Sequence, residues 1–381
     1  MDTASNHSLM KRINRAKVMN AIRVSSPLSR SDIAELTKLD KKSITNFVTE
    51  LEREGIIEEI GKRPSDSGRP FTLLSFRREG QHALGISIEP ERVVGTVVNL
   101  YGEVTATQHH EYGADSELRT ILNAVQQVYK ALRPARGLAG VGLAIPGVAD
   151  IEQGLVIDSV NIPALKGLHI FEALRPIIRE QIFLEEASLA KTVAEKWFGI
   201  GKDSRTFCLI DIAIGVGMGL MYDGRLYRGA LGYAGEIGHV MVERGGRKCR
   251  CGNEGCLEAY LSERQIVSQL SMHERRALKQ ETGVVLPETQ RVLADAGYRL
   301  GIALSYLINL LGPMPLVLNG DLLRFHQTIL PEVWRGVRAH SIRPFGEQTG
   351  IRVSALKDAS ALGAAASVLA DIFEVPGHFY A

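Results

Sequence analysis

Three cysteines lie within eight residues, at Cys249, Cys251 and Cys256, and His239 precedes the first of them by ten positions. Three thiolates and one imidazole form the complete ligand set of a closed, tetrahedral Zn²⁺ site, which leaves no position for a reacting water. Glycines flank the cysteines, and their backbone freedom allows the tight turns that bring close-spaced sulfurs onto one ion. The pattern predicts a structural zinc site with these four ligands. The alternative interpretation of close-spaced cysteines is a disulfide.

Length and composition indicate a globular protein with more than one domain. A chain of 381 residues is too long for one ordinary hydrophobic core, so about two or three domains are expected. The sequence contains no apolar run of about 18 residues and no signal-peptide pattern at its beginning, which favours a cytoplasmic protein. A reducing compartment disfavours the disulfide. Cys208, the fourth cysteine, lies in an apolar run and is predicted to be a buried strand residue.

Positive charge is concentrated at the front of the chain. Residues 1–78 carry 15 Lys and Arg against 10 Asp and Glu, although the net charge of the whole chain is only +2. Such asymmetry is typical of a nucleic-acid-binding segment attached to a neutral body.

Short helices are predicted within this basic segment. Ser29 and Asp32 can cap a helix through Leu36, and Asp40 can cap a second helix that stops at Gly55. The apolar residues of the second helix recur at helical spacing: Ile44, Phe47, Val48 and Leu51. An upstream helix is expected over 9–22, with these residues on its buried face: Met10, Ile13, Val18 and Ile22.

Two strands, over 56–60 and 71–76, surround a basic turn and complete the pattern of a winged helix-turn-helix. Exposed positions of the second helix carry side chains that suit phosphates and base edges. The DNA-binding candidates there are Lys41, Lys42, Ser43, Thr45 and Asn46. Spacing alone leaves open a small helical domain that binds protein.

The segment resembles the N-terminal head of ROK (repressor, open reading frame, kinase) transcriptional repressors. The resemblance depends on Ser29-Arg30-Ser31-Asp32-Ile33-Ala34, on Leu51-Glu52-Arg53-Glu54-Gly55 and on Gly68-Arg69-Pro70 in the wing. It implies that Arg69 reaches a phosphate or the minor groove. It also implies a fold: a winged helix-turn-helix over 1–78, then a two-lobed, actin-like (ribonuclease H-like) α/β sugar-kinase body over 79–381.

Within that body the resemblance places the boundary between the lobes near 195–205 and returns the C-terminal helix to the first lobe. Patterns along the body predict a glycine-rich turn over 215–219 and a surface helix over 262–290. They also predict a buried helix over 294–311, a strand over 315–320 and a closing helix over 359–369.

The strand pattern at the start of the body resembles the hairpin with which ROK sugar kinases hold ATP. There an Asp and a Gly-Gly-Thr-Lys loop bind the phosphates, whereas this chain has Ser87 and the loop Glu89-Pro90-Glu91-Arg92. Two carboxylates repel a triphosphate, and proline lacks an amide donor. The aspartate that accepts the proton of the sugar hydroxyl is also missing, and either Glu186 or Ala187 takes its position. We therefore expect no enzymatic activity and no catalytic residue.

Sugar-binding elements are better retained than the kinase residues. Asn161 lies in a segment that resembles the pocket floor of the family, and its amide can both donate to and accept from hydroxyls. Gly-Glu-Ile-Gly-His (235–239) resembles the Glu-X-Gly-His motif, which implies that Glu236 binds sugar hydroxyls and that His239 lies beside the same pocket. Glu258 is a second candidate carboxylate.

The head and the body together predict a sugar-responsive transcriptional regulator, most simply a repressor of genes for carbohydrate uptake or catabolism. The expected partners are a palindromic DNA operator, a sugar or sugar-phosphate effector, and further copies of the chain in a homodimer or homotetramer. No membrane partner is expected. The alternatives are a ROK sugar kinase with an appended head and a zinc-stabilised interaction scaffold. An activator role and regulation by a protein partner also remain open.

Overall fold

A computed structural model of the chain describes residues 3–64, 70–113, 116–279 and 285–374. Its contacts divide the chain into two compact units. Unit 1 comprises Met1–Trp197 and Asp358–Ala381, and unit 2 comprises Phe198–Lys357. Among the described helices, none has the length and apolarity needed to cross a membrane.

The basic N-terminal segment folds as three helices and a two-stranded antiparallel wing. The elements are α1 (Thr3–Ser25), α2 (Arg30–Thr37), α3 (Lys41–Arg53), β1 (Ile57–Arg63) and β2 (Phe71–Phe76). Helix α1 is longer than predicted at both ends. Val18 and Ile22 are buried as expected, but Met10 is 50% exposed, so its predicted burial was wrong.

The predicted caps of α2 and α3 are confirmed. Ser29 and Asp32 form a reciprocal capping box: the Ser29 Oγ accepts from the Asp32 amide at 3.2 Å, and the Asp32 carboxylate accepts from the Ser29 amide at 2.8 Å. Asp40 caps α3 by accepting from the Ser43 amide at 2.9 Å. The four predicted apolar residues of α3 are all buried. Gly55 follows the helix with φ of +73°, a conformation that favours glycine.

The rest of unit 1 is built around a mixed five-stranded sheet. Its strands are β3 (His82–Glu89), β4 (Arg92–Asn99), β5 (Val104–Glu111), β6 (Leu138–Ile145) and β9 (Ile182–Glu186) in the order β5-β4-β3-β6-β9. A small hairpin, β7 (Val148–Asp150) and β8 (Leu155–Asp158), and three helices, α4 (Leu118–Leu132), α5 (Ile170–Leu174) and α6 (Ala187–Phe198), accompany it. The central strands are buried along nearly their whole length, as in a sheet covered on both faces.

Unit 2 contains a second five-stranded sheet of order β12-β11-β10-β13-β14. Its strands are β10 (Phe207–Ile212), β11 (Val216–Tyr222), β12 (Arg225–Tyr227), β13 (Leu316–Asn319) and β14 (Ile351–Val353). Its helices are α7 (Glu258–Leu261), α8 (Glu263–Ser268), α9 (Met272–Lys279), α10 (Pro287–Leu311), α11 (His326–His340) and α12 (Arg343–Gln348). Cys208 is fully buried in β10, as predicted, and burial raises the pKa of its thiol far above the ordinary value.

Three predictions for unit 2 need correction. Gly217 and Gly219 lie within β11, paired with β10, and not in a turn, because the alternate glycines continue the strand. The segment 262–290 is not one surface helix: it contains α8, α9 and the start of α10, and it buries Ile266. Helix α10 begins earlier than predicted, and its end is not buried, since Leu310 is 81% exposed.

The chain returns to unit 1 in α13 (Ala359–Phe373), which packs directly on the sheet. Close contact is possible because the facing residues are small. A Cβ on Gly85 would lie 1.9 Å from the Ala361 carbonyl oxygen, and one on Gly142 would lie 1.8 Å from that of Ala364. Glycine is therefore required at both strand positions, and the alanine-rich sequence of α13 follows from the same packing.

Candidate metal centre, sugar-binding residues and DNA-binding surface

The four predicted metal ligands lie together in unit 2. The ligand atoms of His239, Cys249, Cys251 and Cys256 all lie within 4.8 Å of one another. His239 Nδ1 is 3.7 Å from Cys249 Sγ, and the sulfurs of Cys251 and Cys256 are 3.8 Å apart. In a tetrahedral site with metal–sulfur bonds of about 2.3 Å, neighbouring sulfurs lie about 3.8 Å apart. The cluster therefore has the spacing of a tetrahedral metal site. None of the four cysteines forms a disulfide.

The loop that carries the cysteines is shaped by its own backbone hydrogen bonds. The Cys249 amide donates to the Asn253 carbonyl at 2.8 Å, and the Gly255 amide donates to the Arg247 carbonyl at 2.8 Å. Gly255 has φ of +74°, and a Cβ there would lie 1.8 Å from the Glu243 carbonyl oxygen. Only glycine fits this position, immediately before Cys256.

Tyr260 connects the loop that carries the three cysteines, called the metal loop below, to α10. Its ring is 2% exposed and has guanidinium groups close by, that of Arg247 at 4.7 Å and that of Arg299 at 4.2 Å from its centroid. The Tyr260 hydroxyl accepts from the Arg247 amide at 2.7 Å, and Arg299 forms a 3.0 Å ion pair with Glu243. These cation–π and ionic contacts hold both ends of the metal loop against α10. No local sequence pattern indicates these contacts, since 39 positions separate Tyr260 from Arg299.

The thiol groups differ in acidity. Burial raises the pKa of Cys256 to about 12, whereas a hydrogen bond from the Asn253 backbone holds the pKa of Cys251 below its ordinary value. Hydrogen bonds from Tyr260 and Arg299 also lower the pKa of the Glu243 carboxyl. A cation bound by thiolates must displace the thiol protons, so metal binding at this cluster is linked to proton release.

Of the predicted sugar-binding residues, His239 belongs to the cysteine cluster, Glu236 lies beside it and Glu258 lies on α7. Glu236 Oε2 is 3.6 Å from His239 Nε2, the ring nitrogen opposite the one that faces Cys249, and the Glu236 side chain is 53% exposed. Glu258 is fixed in place, because its Oε2 accepts from the Val216 amide at 3.0 Å. Asn161 lies in unit 1, half-buried in the loop that follows β8.

The predicted DNA-binding residues occupy α3, the second helix of the helix-turn-helix. Lys41, Lys42, Thr45 and Asn46 are exposed. Ser43 differs from the others, because its hydroxyl donates to the capping carboxylate of Asp40 at 2.6 Å. Thr45 donates to the Lys41 carbonyl at 2.8 Å and keeps its acceptor capacity. Arg69, the predicted wing contact, lies outside the described residues.

One basic wing residue was not among the predicted contacts. Arg63, the last residue of β1, pairs with Asp32 of α2 at 2.9 Å and stacks on the Phe71 ring at 5.5 Å. The pair lowers the pKa of the Asp32 carboxyl together with the hydrogen bonds from Ser29. Arg63 thus ties the wing to the first helix of the helix-turn-helix.

Two of the positions that the sequence comparison aligned with nucleotide-binding residues of the kinases are buried or ion-paired. Ser87 is fully buried in β3 and its hydroxyl has no hydrogen-bond partner, so it cannot reach a nucleotide. In the following turn Arg92 pairs with Glu89 at 2.7 Å, and the Tyr112 hydroxyl donates to the Glu89 carbonyl. Glu186 is the last residue of β9 and Ala187 the first of α6, so either can still correspond to the catalytic base of a kinase.

The chain is similar over nearly its whole length to proteins named as transcriptional regulators. A xylose repressor of Bacillus spizizenii is 27% identical over 98% of this chain and 99% of its own length. The DNA-binding transcriptional dual regulator NagC of Escherichia coli (strain K12) is 27% identical over 95% of this chain and 94% of its own length.

A solved structure shares the fold. The crystal structure of a ROK family transcriptional regulator, a homolog of the E. coli MLC protein, matches with a TM-score of 0.79 and 23% identity over 96% of this chain and 97% of that one. Residues 83–371, three quarters of the sequence, match the ROK family. The chain therefore belongs to the ROK family.

Proposed function

We propose that the chain is a DNA-binding transcriptional regulator that responds to a sugar and represses genes for carbohydrate uptake or catabolism. The observation that carries this proposal is the extent of the similarity to a protein named as a xylose repressor, which includes the winged helix-turn-helix as well as the ROK body. Such a regulator acts where the chromosome is, so we place it in the cytoplasm.

The head is proposed to read DNA through α3. Lys41 and Lys42 are exposed at the start of the helix and suit phosphates, whereas Thr45 and Asn46, one turn further on, suit base edges. Helix-turn-helix proteins read half-sites one helical turn or a multiple apart, so we propose a palindromic operator bound by a homodimer or homotetramer. Arg69 is proposed as a further phosphate or minor-groove contact.

The effector is proposed to be a monosaccharide or its phosphate. Glu236 has an exposed carboxylate that can accept from sugar hydroxyls, and His239 Nε2 faces the same carboxylate. Asn161 and Glu258 are proposed as further ligands of hydroxyl groups. These roles rest on the similarity of the motifs to those of the family.

The metal is proposed to be a structural Zn²⁺ held by His239, Cys249, Cys251 and Cys256, because three sulfurs and one imidazole nitrogen at tetrahedral spacing suit this ion. When bound, it cross-links the four ligands and makes the loop rigid. The Nδ1 of His239 is then the ligand atom, and Glu236 is the neighbour that orients the other ring nitrogen.

A binding experiment tests the regulator. A fluorescent duplex, selected from random-sequence DNA by its affinity for the chain, is titrated at several salt concentrations and with a panel of sugars: xylose, glucose, N-acetylglucosamine and the 6-phosphates of the last two. We expect tight binding that weakens steeply with salt and is displaced by one sugar of the panel. Binding that no sugar changes would contradict the proposed effector response.

A ROK sugar kinase with an appended head is the competing function, because the kinases share this fold. A coupled assay with ATP and the same free sugars separates the two. The buried Ser87 and the closed turn at Glu89 predict no turnover above a Glu186→Ala control. Sugar-dependent ATP consumption in the unaltered chain alone would support the kinase.

A further inference from the structure

Four aromatic side chains of unit 1 form a continuous aromatic cluster between the head and the body. Phe373, at the end of α13, lies 5.8 Å from Phe76, the last residue of the wing strand β2, and 6.1 Å from Trp197 of α6. Phe76 meets Tyr101, in the turn after β4, edge to face at 5.7 Å. Phe76 and Phe373 are 2% and 3% exposed. The cluster therefore joins the wing to two helices of the body through buried contacts.

Arg23, in the last turn of α1, covers this aromatic cluster. Its guanidinium carbon lies 4.9 Å from the centre of the Trp197 ring and 5.2 Å from that of Phe373. Its Nε and Nη2 both donate to Asn20 Oδ1, at 3.1 and 2.9 Å, which fixes the plane of the group. A guanidinium held over two rings is an oriented contact that lysine does not reproduce.

The contact between Arg23 and Trp197 lies at the point where the chain passes from unit 1 to unit 2. Trp197 is the last residue of unit 1 before the chain enters unit 2 at Phe198. Of the proposed sugar ligands, Glu236, His239 and Glu258 belong to unit 2, and Asn161 belongs to unit 1. Trp197 and Phe198 are adjacent in the chain, so a displacement of the main chain at this crossing would act directly on the ring against which the Arg23 guanidinium lies.

The head has other contacts with the body that do not involve Trp197. The Tyr101 hydroxyl donates to the Phe76 carbonyl at 2.9 Å, and Arg12 of α1 pairs with Asp371 of α13 at 3.3 Å. These contacts hold the head on the body whatever the setting of Trp197. Loss of the Arg23 contact alone is therefore compatible with a folded head.

We propose that Arg23 is a positioning residue that couples sugar occupancy to DNA binding by seating the end of α1 on Trp197 and Phe373. The inference rests on the proposed function and names the contact through which the response reaches the head. A ligand changes DNA affinity only if its own affinity differs between a DNA-binding arrangement of the protein and a non-binding one. In this proposal the Arg23 contact is made in one of these arrangements and weakened in the other.

The test compares Arg23→Met with Arg12→Met. Arg23→Met removes the planar charge and keeps an apolar stem, and Arg12→Met is the matched control, since Arg12 joins the same helices α1 and α13 through an exposed ion pair. DNA affinity is measured by fluorescence anisotropy with and without the sugar of the panel that acts on the unaltered chain. Sugar affinity is measured separately by calorimetry.

For Arg23→Met we expect unchanged sugar affinity and DNA binding that persists without sugar. The sugar-induced change in DNA affinity should be smaller by about fivefold or more, which is the lower end of ordinary allosteric coupling. Arg12→Met should respond like the unaltered chain. An unaltered response in Arg23→Met overturns the proposal, and so does an equal loss in both variants.

Trp197→Phe and Trp197→Leu keep the proposal testable if Arg23→Met fails to fold. The phenylalanine keeps a ring beneath the guanidinium and should retain most of the response, whereas the leucine should lose it. Equal responses in the two Trp197 variants would contradict the coupling role. A different failure, an unaltered chain that binds DNA but responds to no sugar of the panel, refutes the proposed function and the inference that rests on it.

Discussion

Cys256 is the most enclosed of the four proposed metal ligands. It is 1% exposed, and its sulfur lies 3.8 Å from that of Cys251. Burial favours the neutral thiol, whereas a bound cation favours the thiolate, so a metal makes a larger difference to this side chain than to an exposed one. The residue is therefore well placed to report whether the loop binds a metal.

We expect Cys256→Ser to weaken zinc binding by more than the roughly 10- to 100-fold that loss of an outer-shell partner causes. Metal content after dialysis and the shift of Tm on adding a chelator are the measurements. Cys208→Ala is the control for the number of thiols, since Cys208 lies in β10 away from the ligand set. One zinc per chain retained in Cys256→Ser would show that this cysteine is not a ligand.

Glu374, beside the Arg23 contact, makes stability depend on pH. Burial raises its pKa from 4.5 to about 7, although Arg23 and Lys196 act in the opposite direction. A raised folded-state pKa means that the stability due to the bound proton is complete below pH about 4.5 and is lost as the pH rises through about 7. Glu374→Gln should therefore reduce the fall of Tm between pH 5 and pH 8.

Asp371→Asn is the control for this comparison, because it removes an exposed carboxylate from the same helix end. Its Tm should change with pH as that of the unaltered chain does. If Glu374→Gln and the unaltered chain have parallel Tm curves, Glu374 is not the group that titrates.

At the scale of elements, the close packing of α13 on the sheet of unit 1 distinguishes this helix from α4. Helix α4 packs on the sheet through larger side chains, and the space facing Gly95 is filled by Val128 and Leu132. Helix α13 instead presents its own backbone carbonyls to Gly85 and Gly142. Side chains of α4 can adjust to an added methyl group, whereas the backbone of α13 must move as a whole.

Gly142→Ala is thus expected to displace α13 and to lower the free energy of unfolding by about 1–3 kcal/mol or more, as overpacking of a core does. Urea denaturation measures the change. Gly350→Ala is the control, because nothing lies within 4 Å of a Cβ at that position. Equal stability of the two variants would show that α13 is not in close contact with β6.

At the scale of the whole molecule, the proposed DNA-binding and sugar-binding residues lie far apart in the chain. Lys42 belongs to α3 of the head in unit 1, and Glu236 belongs to unit 2. Neither residue is buried, so each can be substituted without creating a cavity in a hydrophobic core. The two activities should therefore be separable by single substitutions.

Lys42→Ala should weaken DNA binding for all sequences and reduce the salt slope by about one, with sugar affinity unchanged. Glu236→Gln should weaken sugar binding and leave sugar-free DNA binding unchanged. Anisotropy and calorimetry on the same preparations measure both quantities. A loss of DNA binding in Glu236→Gln would mean that the carboxylate acts on the fold and not on the ligand.

Much of the N-terminal segment and the clustering of His239 with the three cysteines could be predicted because the interacting residues are near neighbours in sequence. The capping box joins residues three positions apart, and the buried face of α3 follows the helical period. The four proposed metal ligands span only residues 239 to 256. Burial at the ends of elements was predicted less well, as Met10 and Leu310 show, because end residues can extend beyond the surface against which the helix packs.

The sequence by itself predicted the helix caps and the clustering of His239 with three cysteines, since each depends on residue type and short spacing. Only the tertiary structure decided that Tyr260 meets Arg299 and that Arg23 lies over both Trp197 and Phe373. Those contacts join residues 39, 174 and 350 positions apart. Such pairs carry no periodic signal, because packing of whole elements, and not local backbone preference, brings them together.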